Sequence, residues 1–191
     1  MNIKLFEKIT DSLIENGTIN TEDKEIYEYG LRHIANVSLN ILSTLFIGFI
    51  FGMVWQSVIF MTAHIPLRSY AGGAHARTPL RCYIVSVIMT VCILLGIKYI
   101  PHDDFIIWIL TLISGIVIFI FAPIGDENKP LDEIEIKVFR FRTRVILLAE
   151  IAAIGLFTVL GLAWVAFCIA VSVVVSGFMV LLAIFVKILD I

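Results

Sequence analysis

The sequence is short of charge: Asp, Glu, Lys and Arg make up 16% of its 191 residues, while 60% are hydrophobic. A water-soluble domain of this length has too little interior to hide that much apolar surface, whereas a bilayer supplies an apolar partner for it. An excess of basic residues is missing too. The formal net charge of −2 provides no electropositive surface for nucleic acid, so no such partner is expected. Cysteine is scarce. Cys82, Cys92 and Cys168 are odd in number and show no C-x-x-C spacing, which argues against a disulfide framework or a zinc ribbon. The four histidines, His33, His64, His75 and His102, have no metal-ligand spacing, so neither metal nor cofactor is expected. Met1-Asn2-Ile3-Lys4 is not followed by an apolar core and a small-residue cleavage site. The spans themselves are therefore expected to direct insertion, without a cleaved signal peptide. Neither an internal repeat nor a low-complexity tract is visible.

What the chain does have is long apolar runs. Residues 35–66 are too many for one span of about 20 residues and divide near Gly52. Further runs cover 82–100, 105–122, 145–162 and 163–186. The pattern predicts an all-α, polytopic membrane helix bundle of about six spans. A four-span arrangement, with 35–66 or 145–186 re-entrant, is the alternative. Ahead of the spans, Ile3, Leu5, Phe6, Ile9, Leu13 and Ile14 share one half of a helical circle, opposite Lys4, Glu7, Lys8, Asp11 and Glu15. This is the pattern of a helix lying on the bilayer surface. Asn16-Gly17 ends it, and Thr21-Glu22-Asp23 starts a second short helix reaching about His33. The chain thus divides into interfacial helices over 1–33 and a transmembrane region over 34–191. Basic residues concentrate in 1–33, in 68–81 (Arg68, Arg77, Arg81) and in 124–144 (Lys129, Lys137, Arg140, Arg142, Arg144), whereas the 101–104 turn carries Asp103 and Asp104. The positive-inside rule puts the three basic segments in the cytoplasm. Gly48-x-x-x-Gly52 marks a close-packing face and a candidate homodimer contact.

One segment carries a constellation of chemistry. Thr78 suits a helix N-cap and Pro79 the first helical position, which puts Cys82 on the first turn of the third span. There the positive end of the helix dipole, with Arg77 and Arg81 nearby, favours the reactive thiolate. On one straight helix His75 and Cys82 would lie about 10 Å apart along the axis, too far for direct proton transfer. Gly72-Gly73 and Pro79 break such a helix and let the imidazole turn back toward the sulfur, as nucleophilic catalysis requires. The glycines also permit close approach of a substrate backbone and could present N–H groups to an oxyanion. The plain alternative is an interfacial histidine beside a packing cysteine. Cys92 and Cys168, deep in apolar runs, are expected to be small buried hydrophobes.

Arg68, Gly72-Gly73-x-His75 and Cys82 together resemble the signature of the AgrB (accessory gene regulator protein B) family of membrane peptidases. Tyr29-Gly30 and Pro123-x-x-x-x-Asn128-Lys129-Pro130 are similar to that family as well. The resemblance implies a cysteine endopeptidase that removes the C-terminal tail of a quorum-sensing, AgrD-like pro-peptide and supports its cyclisation. It further implies Cys82 as nucleophile, His75 as base, and Arg68 with Gly72 and Gly73 in support. No third residue to orient His75 is evident, and Asp126 and Glu150 are candidates. Glu150, one and a half turns into its span, should face the bundle interior and find a partner such as Arg68 or Arg144. His64 is expected to be packed and satisfied. Leu131, Ile134, Val138 and Phe141 form a stripe that would lay 130–144 along the inner surface. Lys129, Arg140, Arg142 and Arg144 are then candidates to dock an acidic pro-peptide tail, or else they hold topology and bind anionic lipid. Rival readings are a peptide exporter or permease without covalent chemistry, and a cysteine acyltransferase acting on lipid.

Overall fold

The computed structural model describes residues 3–73, 78–101, 103–125 and 131–188. Among these residues the chain is helical throughout, with seven α-helices: α1 (Ile3–Glu15), α2 (Lys24–Ile50), α3 (Val54–Ala71), α4 (Pro79–Tyr99), α5 (Asp104–Phe121), α6 (Glu133–Val159) and α7 (Ala163–Ile188). Glycine sets several of the boundaries. At Gly17, Gly52 and Gly161 the chain leaves a helix with φ near +70°. At Gly52, the N–H of Met53 reaches back to the Gly48 carbonyl and that of Gly52 to Phe49, which ends α2 in a Schellman turn. The division of the first long run near Gly52 is therefore where the helices part.

Each of the six apolar runs forms a long helix, but among the described residues four helices are long and apolar enough on their own to cross a membrane: Thr21–Ile50, Leu80–Tyr99, Asp104–Phe121 and Ala163–Ile188. The expected six becomes four by this criterion. Helix α3 is diluted by Gln56, His64 and Arg68, and α6 by Lys137, Arg140, Arg142, Arg144 and Glu150. Both pack on α7, where Glu150 is buried and His64 meets Ser176, while Lys137, Arg140 and Arg142 near the start of α6 are exposed.

The chain forms two compact units, Met1–Ser43 and Thr44–Ile191. In the first, α1 is followed by a 3₁₀ turn over Thr21–Asp23, and Lys24 Nζ donates to Asp11 Oδ1 at 2.5 Å. Asn20, not Thr21, occupies the cap position, and its side chain makes no capping bond. Helix α2 runs on without a break through residue 33, where a short second helix was expected to stop.

In the second unit α7 is the central element, packed against α5, α3 and α6. Its small residues Ala166, Ala170, Ser172, Ser176 and Gly177 are buried and let neighbouring backbones come close. A Cβ on Gly177 would lie 2.9 Å from Ser114 Cβ. Leu67, Ile118, Leu147, Ile154, Cys168, Val173 and Val180 fill the core. Helix α4 makes much slighter contacts, with α7 and α3.

Three expectations are corrected here. Residues 133–159 are one continuous helix, so the basic residues Arg140, Arg142 and Arg144 stand on a helix that carries on into the apolar run, not on a separate surface segment. Asp132 starts it with a capping box: its carboxylate accepts from the Glu135 N–H at 2.6 Å and the Glu135 side chain accepts from the Asp132 N–H. Gly48 packs within the chain, where a Cβ would sit 2.3 Å from Ser57 Oγ, and Gly52 lies past the helix end. The pair is therefore not an open face for a second copy. Finally, Cys168 is buried as expected but Cys92 is exposed on α4, where lipid would cover it.

Candidate active site

The site is built around the corner where α3 ends. Gly72 has φ 73° and ψ −155°, a backbone conformation essentially confined to glycine. It forms an isolated parallel bridge with Ile124, just beyond α5, through the Ile124 N–H bonded to the Ala71 carbonyl at 3.0 Å. The approach leaves no room for a side chain: a Cβ on Gly72 would lie 2.1 Å from the Ile124 carbonyl oxygen. Arg68, one turn back on α3, donates through Nη1 to the Gly72 carbonyl. Gly73 (φ 132°) sits against that guanidinium, and a Cβ there would lie 2.6 Å from Nη1 and 3.2 Å from Met179 Cβ of α7. Arg68, Gly72 and Gly73 are thus brought together, and each has a physical reason for its residue type. The arginine ties off a helix end, and the two glycines let α3, α7 and the segment after α5 meet.

Five residues beyond Gly73 the chain re-enters a helix. Thr78 is the N-cap of α4, its hydroxyl accepting from the Arg81 N–H at 3.4 Å, with Pro79 at the start. Cys82 follows on the first turn, half-buried, its own N–H bonded to the Thr78 carbonyl at 3.0 Å. The sulfur is thus carried at the N-terminal end of a helix. His75 and Arg77 lie outside the described residues, as do Asp126 and Lys129.

The N-terminal half of α6 packs beside this corner. Arg142 Nη1 donates to Tyr70 Oη at 3.0 Å and its guanidinium lies 5.1 Å from the Tyr70 ring centre. Tyr70 in turn meets Phe139 edge-on at 5.6 Å. Arg144 lies 4.2 Å over Phe119 and donates to the Phe119 carbonyl at 3.4 Å. Arg140 is exposed. Two of the three arginines therefore grip the cytoplasm-facing ends expected for α3 and α5.

Glu150 does face the interior, with 7% of its surface exposed, but its partner is a hydroxyl: Ser172 Oγ donates to Glu150 Oε2 at 3.2 Å. Among the described residues Glu150 Oε1 has no hydrogen-bond partner. In place of the expected arginine, Ser172 of α7 meets the carboxylate, and Arg144 is engaged at Phe119. His64 is packed as expected, stacked on Phe60 at 5.0 Å and 3.1 Å from Ser176 Oγ through Nδ1. Sequence reasoning passed over Tyr70, Ser172 and Ser176. Two serines one turn apart in the most apolar helix were the available signal.

The family model of accessory gene regulator B matches residues 6–184. The chain belongs to the accessory gene regulator B family. An AgrB-like protein 2 of Clostridium perfringens strain 13 is 30% identical over 135 residues, covering 65% of this chain and 60% of that one. An AgrB-like protein of Listeria monocytogenes strain EGD-e is 29% identical, covering 68% and 64%. The accessory gene regulator protein B of Staphylococcus saprophyticus is 36% identical over 76 residues, covering 38% and 40%. The chain spans about three fifths of the length of the clostridial relatives it matches. No solved structure matches.

Proposed function

We propose that this family member is a multi-pass membrane cysteine endopeptidase that cuts the C-terminal tail from an AgrD-type pro-peptide and closes the remainder into a ring. The observation that carries the reading is the seat of Cys82, half-buried on the first turn of α4, whose cap Thr78 lies five residues past a glycine corner held by Arg68. Family membership supplies the substrate class.

The chemistry follows from that seat. Cys82 Sγ attacks the scissile carbonyl while His75 takes the thiol proton. The tetrahedral oxyanion collapses, and the C–N bond breaks as the imidazolium hands its proton to the leaving amine. The tail departs and the remainder is held as a thioester on Cys82. A thiol or hydroxyl within the pro-peptide then attacks that thioester, His75 again moving the proton. A thiolactone or lactone forms and the Cys82 thiol returns. Exchange of one thioester for another is nearly neutral, so the intermediate must be kept from water, which a site at the membrane boundary favours. In this reading Arg140, which is exposed, meets an acidic tail on the cytoplasmic side.

The test is cleavage of the pro-peptide by purified protein in liposomes. Cys82→Ser and His75→Ala should abolish it, and mass analysis of the unmodified protein should trap an acyl group on Cys82. Cleavage by either variant at the parent rate rejects the assignment.

A further inference from the structure

The core of the second unit holds a polar cluster that the reaction above does not use. Ser172 and Ser176 are one turn apart on α7, and both are fully buried. Ser172 Oγ reaches Glu150 on α6, and Ser176 Oγ reaches His64 on α3. Three helices are thereby joined through one face of α7. That face continues one turn further to Met179, whose Cβ faces Gly73. Residues 172, 176 and 179 are spaced i, i+4 and i+7, a single helical stripe. On α3 the matching order is His64, then Arg68 one turn later, then Gly72 one turn after that, its carbonyl bonded to Arg68. The buried cluster and the glycine corner are consecutive turns of one α3–α7 contact.

We propose that Ser176 with His64 and Ser172 with Glu150 form a buried latch that fixes the heights of α3 and α6 against α7, and so act as positioning residues for the Cys82–His75 reaction. An apolar core would hold these helices together, but apolar side chains in a lipid-surrounded bundle tolerate small axial slips. Hydrogen bonds between buried groups do not, since a slip leaves each without a partner. A shift of α3 moves Arg68 and the Gly72 carbonyl together, and with them the start of the segment that carries His75; a shift of α6 reaches the same end of α3 through Arg142 and Tyr70. Glu150 Oε1 adds to the case. It is a buried polar atom without a partner among the described residues, a cost that simple packing would avoid. The inference rests on the proposed peptidase reading and deepens it.

The experiment reads Cys82 itself and needs no pro-peptide. Full-length protein in detergent is treated with iodoacetamide at neutral pH. Alkylation of the Cys82 peptide is followed by mass, with the Cys92 peptide as internal reference. His75→Ala, Ser172→Ala, Glu150→Leu and Ser176→Ala should each slow Cys82 alkylation about tenfold, since small displacements of a base cost rate steeply. Ser172→Thr and Glu150→Gln, which keep a hydroxyl and an acceptor, should stay within about twofold of the parent rate. A merely structural role would lower the melting temperature and leave the Cys82 rate alone. If Ser172→Ala does not fold, Ser176→Ala, on the other arm, carries the test. Slow alkylation in His75→Ala with parent rates in Ser172→Ala and Glu150→Leu overturns the latch and leaves the peptidase reading intact. A parent rate in His75→Ala removes the catalytic pairing and the latch with it.

Discussion

Replacing Gly72 by alanine tests the corner on which the site depends. At φ 73° and ψ −155° an L-residue is strained by about 1–3 kcal/mol. The new Cβ would also lie 2.1 Å from the Ile124 carbonyl oxygen, which is backbone and cannot swing aside. The segment after α5 must move away, forfeiting the Ile124 N–H bond to Ala71, worth about 1 kcal/mol. The sum is about 2–4 kcal/mol, which is roughly a 30- to 1,000-fold fall in the population of the intact corner. Processing of the pro-peptide in proteoliposomes, read as kcat/KM, should fall by a factor in that range. Gly96→Ala is the control. It lies inside α4, its Cβ would meet only Ile100 Cδ1 at 3.7 Å, and it should stay within about twofold of the parent. Gly73→Ala meets the far end of Arg68, a movable group, so combining it with Arg68→Met should cost less than the two separately. A Gly72→Ala protein that processes at the parent rate would show that the Ile124 pairing is not part of the working site.

Much of this arrangement could be read from local pattern. The apolar runs mark the helices because each needs only its own residues to satisfy its backbone. Thr78-Pro79 places Cys82 on a first turn because cap and proline act within four residues. What escaped the sequence is what depends on distant partners. Nothing near Gly72 announces Ile124, which arrives from the far end of α5. The charges of 133–144 look like surface, yet α6 continues through them because Arg142 finds Tyr70 and Arg144 finds Phe119. Gly48-x-x-x-Gly52 has the spacing of a dimer face, but the turn at Gly52 folds α3 back so that Ser57 fills the notch first. Charge pairing is the common solution for a buried acid, which points to an arginine for Glu150, while α7 presents a serine to it.

Three further outcomes follow from these contacts. Thr78→Ala should destabilise the first turn of α4 by about 0.5–1 kcal/mol, the low end for a cap because the bond is long at 3.4 Å, and Thr78→Ser should restore it. Amide exchange at Arg81 and Cys82 would report the fraying. Changing Arg140, Arg142 and Arg144 to glutamine should weaken pro-peptide binding by about tenfold or more at low salt, with a smaller loss at high salt. Unchanged binding by correctly inserted protein rejects the docking role. Gly48→Ala separates packing within the chain from packing between copies. Its Cβ would lie 2.3 Å from Ser57 Oγ and 3.0 Å from Ser57 Cβ, so α2 and α3 must part at their shared turn. Such overpacking costs about 1–3 kcal/mol, offset in part by the better helix propensity of alanine. A lower melting temperature in detergent is expected, with no change in oligomeric mass. Ser57→Gly in the same chain removes both clashing atoms and should recover more than half of the loss. If instead Gly48→Ala changes the oligomeric mass and Ser57→Gly restores nothing, the glycine serves a second copy, and the placement of α3 against it is wrong.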